Sequence, residues 1–381
     1  MTALPSTRAA REARDAAEEL GGALNDGLAE RDREGVFERS LWDRCAAFGI
    51  LGLSVPARYG GTEHELEDAV AILEGLGFGC LDNGLLFALG AQLWSVEMPI
   101  LQLGTDEQKQ RYLPGLVDGS LIGAHAITEP EAGSDAFSLR TTARREGNGY
   151  VLDGAKTFVT NAPVADVFLV VATLEPGSGS RGLSAFLVDR DAPGLSVSEP
   201  FEKAGLRTST MAEVSLADCR VDADRLLGRE GGGGAAFAVA MEWERSYILA
   251  PALGTMRRQL RDCVRYARER RQFGEPIGKR EPVASMLVDM QLRLETAQLL
   301  TYRTARLKQA GKRLTYEPSQ VKLHVSESWV KTSLDALQVH GGSGYMVELG
   351  VERDLRDSVA SRIYSGTSEI QRKLIAGFLG L

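Results

Sequence analysis

The sequence predicts an α+β chain in α–β–α order: an N-terminal helical part, a middle β part and a C-terminal set of helices able to form a four-helix bundle. Three observations predict it. Apolar residues recur at helical spacing up to about residue 120. Short β-type runs bounded by turn residues fill about 124 to 228. Long helical periodicity resumes after the glycine run Gly231–Gly234. The expected divisions are 1–123, 124–230 and 231–381.

In the first part, Phe37, Leu41, Cys45 and Phe48 fall at helical spacing, as do Leu66, Val70 and Leu73, with Pro56 and Gly60–Gly61 as punctuation. The middle part offers Tyr150–Leu152, Thr157–Thr160, Val167–Thr173, Leu183–Val188 and Ala212–Leu216 as strands, with Asn148–Gly149 and Asp153–Gly154 as turns. In the last part helices are expected near 235–272, 282–310, 319–340, 352–362 and 367–378. No internal repeat is evident.

Composition bounds the class. The 381 residues are 44% apolar and 25% charged, as in ordinary globular proteins, which excludes wholesale disorder and a small disulfide scaffold. The net charge of −8 makes the molecule as a whole repel nucleic acid and anionic membranes, so neither is an expected partner, although a local basic patch stays possible. No run of about 18 apolar residues suggests a membrane span. Met1–Leu20 is charged throughout and lacks the apolar segment of a secretory signal. Cys45, Cys80, Cys219 and Cys263 lie far apart, which fits a reducing cytoplasm; with only four histidines, no metal is expected.

Three glycine clusters invite a phosphate-loop reading. Gly231–Gly234 lacks a following Lys-Ser/Thr, and Gly75-x-Gly77-x-Gly79 has the wrong spacing and continues a helical pattern. Both read as flexible linkers and helix ends. Gly341–Gly342-x-Gly344 holds more glycine than one helix cap requires, so close backbone approach to a ligand stays open beside a plain helix end.

One carboxylate is misplaced. Phe237, Met241, Glu244 and Ile248 fall at i, i+4, i+7 and i+11, which sets Glu244 on an apolar helix stripe, whereas Glu242 on the opposite side is expected in solvent. A buried carboxylate costs several kcal/mol unless paired or protonated. Two readings stand: a salt bridge to Arg245 or another helix, or a general base whose pKa is raised by desolvation.

Several separated motifs carry a resemblance. Ala126-Ile-Thr-Glu-Pro-Glu-Ala-Gly-Ser-Asp135 resembles the Thr-Glu-Pro-x-Ala-Gly-Ser-Asp signature of the acyl-CoA dehydrogenase flavoproteins. Asp153-Gly-Ala-Lys156, Phe158-Val-Thr160, Arg270-Arg-Gln-Phe-Gly274, Gln338-Val-His-Gly-Gly342, Arg356-Asp357 and Tyr364-Ser-Gly-Thr-Ser368 follow in that family's order. The likeness runs from about residue 40 to 381. It implies the acyl-CoA dehydrogenase fold, with a middle β-barrel or β-sandwich domain before the four-helix bundle, in a homotetramer with FAD near a subunit interface.

Carried over by position, His125, Ile127, Thr128 and Ser134 are expected to line flavin and thioester, with Phe158 and Thr160 against the isoalloxazine. Arg270 and Phe273 resemble pyrophosphate and adenine contacts given to a neighbouring subunit. Gln338, Gly341 and Gly342 resemble the backbone approach to FAD, and Thr367 and Glu369 occupy FAD-contacting positions, although the family often has Gln at the latter. Phe158 and Phe273 could instead be core, and Thr367 a helix cap. Ser134, Trp243, Arg245 and Ser365 are the expected substrate contacts.

The main departure lies in the last motif. Many members carry the catalytic glutamate between Tyr and Gly-Thr, where this chain has Ser365. A minority, including isovaleryl-type enzymes, place it on the first bundle helix before an arginine, and Glu244-Arg245 matches, with Gly254 ten residues beyond. The resemblance therefore implies Glu244 as the base for the α proton of a thioester, with Ser365 contributing only a backbone N–H to the enolate oxygen. Asn161-Ala-Pro-Val-Ala-Asp166, Ser198-Glu-Pro200, Glu213-Val214, Asp218-Cys-Arg-Val221, Trp243-Glu-Arg245 and Ile363-Tyr-Ser-Gly-Thr367 are most similar to the branch that oxidises prolyl thioesters on peptidyl carrier proteins to pyrrole-2-carboxyl thioesters. The other reading is a short- or branched-chain acyl-CoA dehydrogenase passing electrons to an electron-transferring flavoprotein; oxygen is the alternative acceptor.

Overall fold

A computed structural model describes residues 8–381; Met1–Thr7, the head of the stretch expected to lack a signal, lie outside the described residues. The first part comprises α1 (Arg8–Gly22), α2 (Leu28–Glu34), α3 (Arg39–Phe48), α4 (Leu66–Gly79), α5 (Asn83–Gln92), a π-helical turn (Leu93–Glu97), α6 (Met98–Leu103) and α7 (Asp106–Asp118). Local chemistry fixes the starts. Asp82 accepts the Leu85 N–H at the head of α5, and Thr105 and Gln108 form a reciprocal capping box on α7. The stretch Asn83–Leu103 has a mean hydropathy of 1.4, enough by length and composition to cross a membrane, but 89% of it is buried inside the protein.

The middle part holds β1 (Gly123–Ala126), β2 (Thr142–Glu146), β3 (Gly149–Thr160), β4 (Val167–Thr173), β5 (Leu183–Asp189), β6 (Leu195–Val197), β7 (Met211–Asp222) and β8 (Leu226–Leu227). The strand order is β6-β7-β3-β2-β4-β5-β8, with β1 parallel to β4. β2 and β4 meet at one residue pair, Thr142 and Thr173, so the sheet folds there. Tyr150, Leu152, Val159 and Val214 from one half share a core with Phe168, Val170, Phe186 and Val188 from the other. Asp153–Gly154, expected as a turn, is instead a bulge inside β3, and Tyr150–Leu152 and Thr157–Thr160 belong to that one strand.

The last part runs α8 (Gly233–Tyr247), α9 (Ala250–Glu269), a hairpin of β9 (Arg271–Gln272) and β10 (Glu275–Pro276), α10 (Glu281–Gln309), α11 (Glu317–His340), α12 (Gly342–Tyr345), α13 (Val351–Ala360) and α14 (Ser368–Phe378). α9, α10 and α11 pack on one another and α13 closes against α11. The helix expected over 235–272 is two helices. Pro251 sits in the first turn of α9, where its missing N–H costs nothing; in a continuous helix its ring would strike the Tyr247 carbonyl.

Two glycine clusters are neither linkers nor slack. A Cβ on Gly75, Gly77 or Gly79 would lie 2.2, 2.0 and 2.0 Å from the carbonyl oxygens of Arg14, Pro251 and Glu18, so α1 and α9 cross α4 at backbone contact. Gly254 on α9 answers from the other side, 2.0 Å from the Glu74 carbonyl by the same measure. Gly233 opens α8 against the Leu183 backbone. The contact draws α8 close to β5. One core spans all three parts, joining Trp94, Leu169, Leu187, Trp243, Tyr247 and Trp329.

Candidate active site

Glu244 lies on the buried face of α8, 8% exposed. Its two oxygens are held by hydroxyls from opposite directions. Ser95 Oγ, on the π-helical turn, donates to Oε2 at 2.8 Å, and Ser365 Oγ, in the loop before α14, donates to Oε1 at 2.6 Å. Among the described residues, neither form of the expected salt bridge is made. Arg245 turns away and donates from Nε to the Ser365 carbonyl at 3.0 Å, where Gln371 Nε2 also donates at 3.1 Å. These two bonds hold Ser365 at a left-handed φ of 58°. The expectation that Ser365 acts through its backbone alone is thus corrected, because its side chain binds the carboxylate. Glu242 is corrected too: it is half-buried and paired with Lys308.

Burial pushes the Glu244 pKa above the usual carboxylate range, opposed by the Ser365 and Ser95 hydrogen bonds and then by the charges of Arg245 and Lys322. A carboxylate so placed is a buried, desolvated acceptor with lone pairs left over, as a general base requires. Trp243 stacks on Trp94 with centroids 5.7 Å apart and planes 5° apart, and Tyr247 closes on both. That aromatic packing ties α8 to the π-helical turn and so fixes Ser95 relative to Glu244.

A second group of expected residues gathers on the sheet. Lys156, fully buried on β3, donates to Glu129 Oε1 at 2.7 Å and to the Ile127 carbonyl at 3.2 Å. Glu129 also accepts the Arg140 and Thr141 N–H groups, so one ion pair pins both ends of the loop that carries Thr128 and Ser134. Thr128 accepts the Thr157 N–H through its carbonyl. Ser134 is exposed in that loop, and Thr160 ends β3 half-buried. His125 on β1 has its pKa lowered to about 4 by burial and the Lys156 charge, and its buried Nε2 has no hydrogen-bond partner among the described residues. Phe158 is not core: it is 62% exposed, with a φ of 55°, between the buried Thr157 and Val159. An aromatic ring offered to the surface from a strained backbone marks a place where something flat could stack.

The third group lies at the far end of the bundle. The Tyr266 ring lies 4.4 Å from the His340 ring at a tilt of 31°, which brings the end of α9, with Arg270 and Phe273 beyond it, beside the end of α11 with Gln338, Gly341 and Gly342. Phe273 is 92% exposed on its hairpin and therefore not core. Gly341 has a φ of 59°, and the positions a Cβ would take on Gly341 and Gly342 meet nothing among the described residues within 4 Å. Thr367 does cap α14, accepting the Ile370 N–H at 3.3 Å, and Glu369 is exposed on its first turn. The structure therefore joins Glu244, Arg245 and Ser365 in one site, and gathers the sheet residues and the bundle-end residues as separate groups.

Two residues escaped the sequence. Ser95 lies 149 positions from the carboxylate it binds, in an apolar helix where a lone serine gives no signal. Lys322, on α11, is fully buried and its Nζ has no hydrogen-bond partner among the described residues. Its helical period, with Val321 and Val325 as buried neighbours, offered the only clue.

The chain matches the models of the acyl-CoA dehydrogenase N-terminal domain over residues 7–120, middle domain over 124–219 and C-terminal domain over 231–380. It is 42% identical over 351 residues to an L-prolyl-[peptidyl-carrier protein] dehydrogenase of Pseudomonas fluorescens, covering 91% of each chain. Its fold superimposes on the prolyl acyl carrier protein oxidase AnaB with a TM-score of 0.98 and 46% identity, covering 99% of this chain and 100% of the other. It superimposes on PigA, solved with FAD and proline, with a TM-score of 0.96 and 37% identity, covering 99% of each. With all three domains matched in order, the chain belongs to the acyl-CoA dehydrogenase family.

Proposed function

We propose that this protein is an FAD-dependent dehydrogenase that oxidises an L-prolyl thioester on a peptidyl carrier protein to the pyrrole-2-carboxyl thioester. The likeness to prolyl-carrier dehydrogenases over nine-tenths of the chain carries the substrate. The buried carboxylate of Glu244 carries the chemistry. Glu244 is the base that takes the α proton, which the thioester carbonyl acidifies. Ser95 and Ser365 orient it, each leaving a lone pair on the oxygen it binds. The reaction removes four hydrogens and four electrons from the ring in two two-electron oxidations, so between them Glu244 must lose its proton and the first electron pair must pass on to an electron-transferring flavoprotein or oxygen.

The residues present fit FAD. An exposed Phe158 ring, the orphaned buried Nε2 of His125 and the open backbone at Gly341–Gly342 are the features a bound dinucleotide would complete. Ile127, Thr128, Ser134, Phe158 and Thr160 would hold the flavin. Arg270, Phe273, Gln338, Gly341, Gly342, Thr367 and Glu369 would hold the remainder. FAD, when bound, supplies the two-electron acceptor that no side chain can provide. The separation of the two groups within one chain supports a site completed by a second copy, in a homotetramer. The exposed Val288, Leu292 and Leu299 on one face of α10 support the same assembly. Light scattering from a sizing column should return four copies.

The test of function is the mass of a purified carrier protein loaded with L-proline and incubated with the enzyme. A loss of four mass units supports the reading. No loss, alongside rapid oxidation of butyryl- or isovaleryl-CoA, would replace it with an acyl-CoA dehydrogenase.

A further inference from the structure

Two buried charges on the packed helices α8 and α11 lack a direct counter-ion among the described residues. Glu244 is bound by hydroxyls and, among the described residues, has no cation within ion-pair distance. Lys322, 0% exposed on α11, has neither an ion-pair partner nor a hydrogen bond to its Nζ among the described residues. An ammonium taken out of water costs several kcal/mol unless a negative charge compensates it.

The other charges around Lys322 are already engaged. Glu327, on the same helix, accepts from Arg362 at 3.0 Å and Ser368 at 2.7 Å and lies 3.8 Å from Arg372. Glu369, on α14, is exposed and pairs with Arg372 at 3.8 Å. Arg245 on α8 repels Lys322 and spends its Nε on the Ser365 carbonyl. Across from α10, Lys308 is taken by Glu242. Asp357, on α13, is bound to Asn83 and the Leu206 N–H. The Tyr364 ring, 5.7 Å from Nζ, offers only its π face. The carboxylate left to balance Lys322 is Glu244.

We propose that Lys322 is a positioning residue that holds Glu244 in its ionised, proton-accepting form by the field between α11 and α8, without touching it. This rests on Glu244 being the base. In a low-dielectric interior such a field acts beyond hydrogen-bond range, and each charge favours the charged form of the other. Action at a distance matters, since a contact ion pair would occupy a lone pair that the α proton needs. Burial works against both charges, pushing Lys322 down to about 7, and Glu244 is the largest influence pulling it back up. The same field expels the proton from Glu244 before the second oxidation.

The experiment is an infrared pH titration of the FAD-loaded enzyme, reading the protonated-carboxyl band that vanishes in Glu244→Gln. In Lys322→Met and Lys322→Gln the midpoint of that band should rise by about one to three pH units. The acid limb of the single-turnover rate should rise with it, and Lys322→Arg should return both towards wild type. A purely structural role would lower the rate and leave the midpoint in place. An unmoved midpoint in folded, FAD-retaining variants overturns the proposal while Glu244→Gln stays inactive; an active Glu244→Gln overturns the base reading instead. If neither neutral variant keeps FAD, the wild type decides. A Glu244 band present at neutral pH overturns the proposal, and its absence there supports it.

Discussion

Ser365 donates its hydroxyl hydrogen to Glu244 Oε1 at 2.6 Å, across 121 residues of sequence. A hydroxyl in the loop before α14 thus orients the carboxylate on α8 that is proposed as the base. Removing it has a predictable consequence. A hydrogen bond to a charged group contributes about 1.5–3 kcal/mol, so Ser365→Ala and Ser95→Ala should each slow reduction by roughly one to two orders of magnitude near neutral pH. Both hydroxyls favour the ionised carboxylate, so the acid limb of the pH–rate profile should move to higher pH in each variant. A profile that falls without moving would mean the hydroxyls position substrate instead of the base.

Lys156 and Glu129 form the buried pair that pins the loop of Thr128 and Ser134. Lys156→Met leaves a buried carboxylate unpaired, which costs about 3–5 kcal/mol. The variant should melt lower by calorimetry and lose FAD on gel filtration more readily than wild type. Unchanged melting with full FAD retention would show that the loop does not depend on the pair.

The network of Asp357, Asp354, Asn83 and Arg258 fastens the segment carrying Leu206 to the bundle. Burial, with the like charges of Asp354 and Asp32, raises Asp357 from 3.8 to about 7, against the Leu206 N–H and Asn83. A raised folded-state value means the folded protein binds more protons there than the unfolded chain. Its contribution is full below about 4 and is lost as pH rises towards about 7. Over that window Asp357→Asn should flatten the fall of stability with pH, by at most about 1.4 kcal/mol per pH unit. Urea unfolding at several pH values measures it, and identical slopes for the two proteins would refute it.

What the sequence disclosed follows from which signals are local. The stripe of Met241, Glu244 and Ile248 is periodic, so the buried carboxylate is legible from residue spacing alone. Its surroundings are not, because Ser95 reaches it from a π-helical turn and Lys322 is buried on α11, and neither position leaves a mark in spacing. The helix expected over 235–272 carried its break openly in Pro251, but apolar periodicity on both sides concealed it. The glycines of α4 were legible as glycines only; that they allow α1 and α9 to cross it is a property of three helices together. Phe158 and Phe273 have ordinary sequence surroundings, and only their exposure and positive φ distinguish them from core aromatics.

Glu244 is proposed to take the α proton of a carrier-bound prolyl thioester. Stopped-flow absorbance of the flavin in Glu244→Gln, mixed anaerobically with L-prolyl carrier protein, isolates that step. The amide keeps the shape and can still meet both serine hydroxyls but cannot accept the proton. FAD content and melting should stay close to wild type while bleaching slows by about a hundred- to ten-thousandfold. A folded, yellow Glu244→Gln enzyme that bleaches at the wild-type rate would contradict the claim.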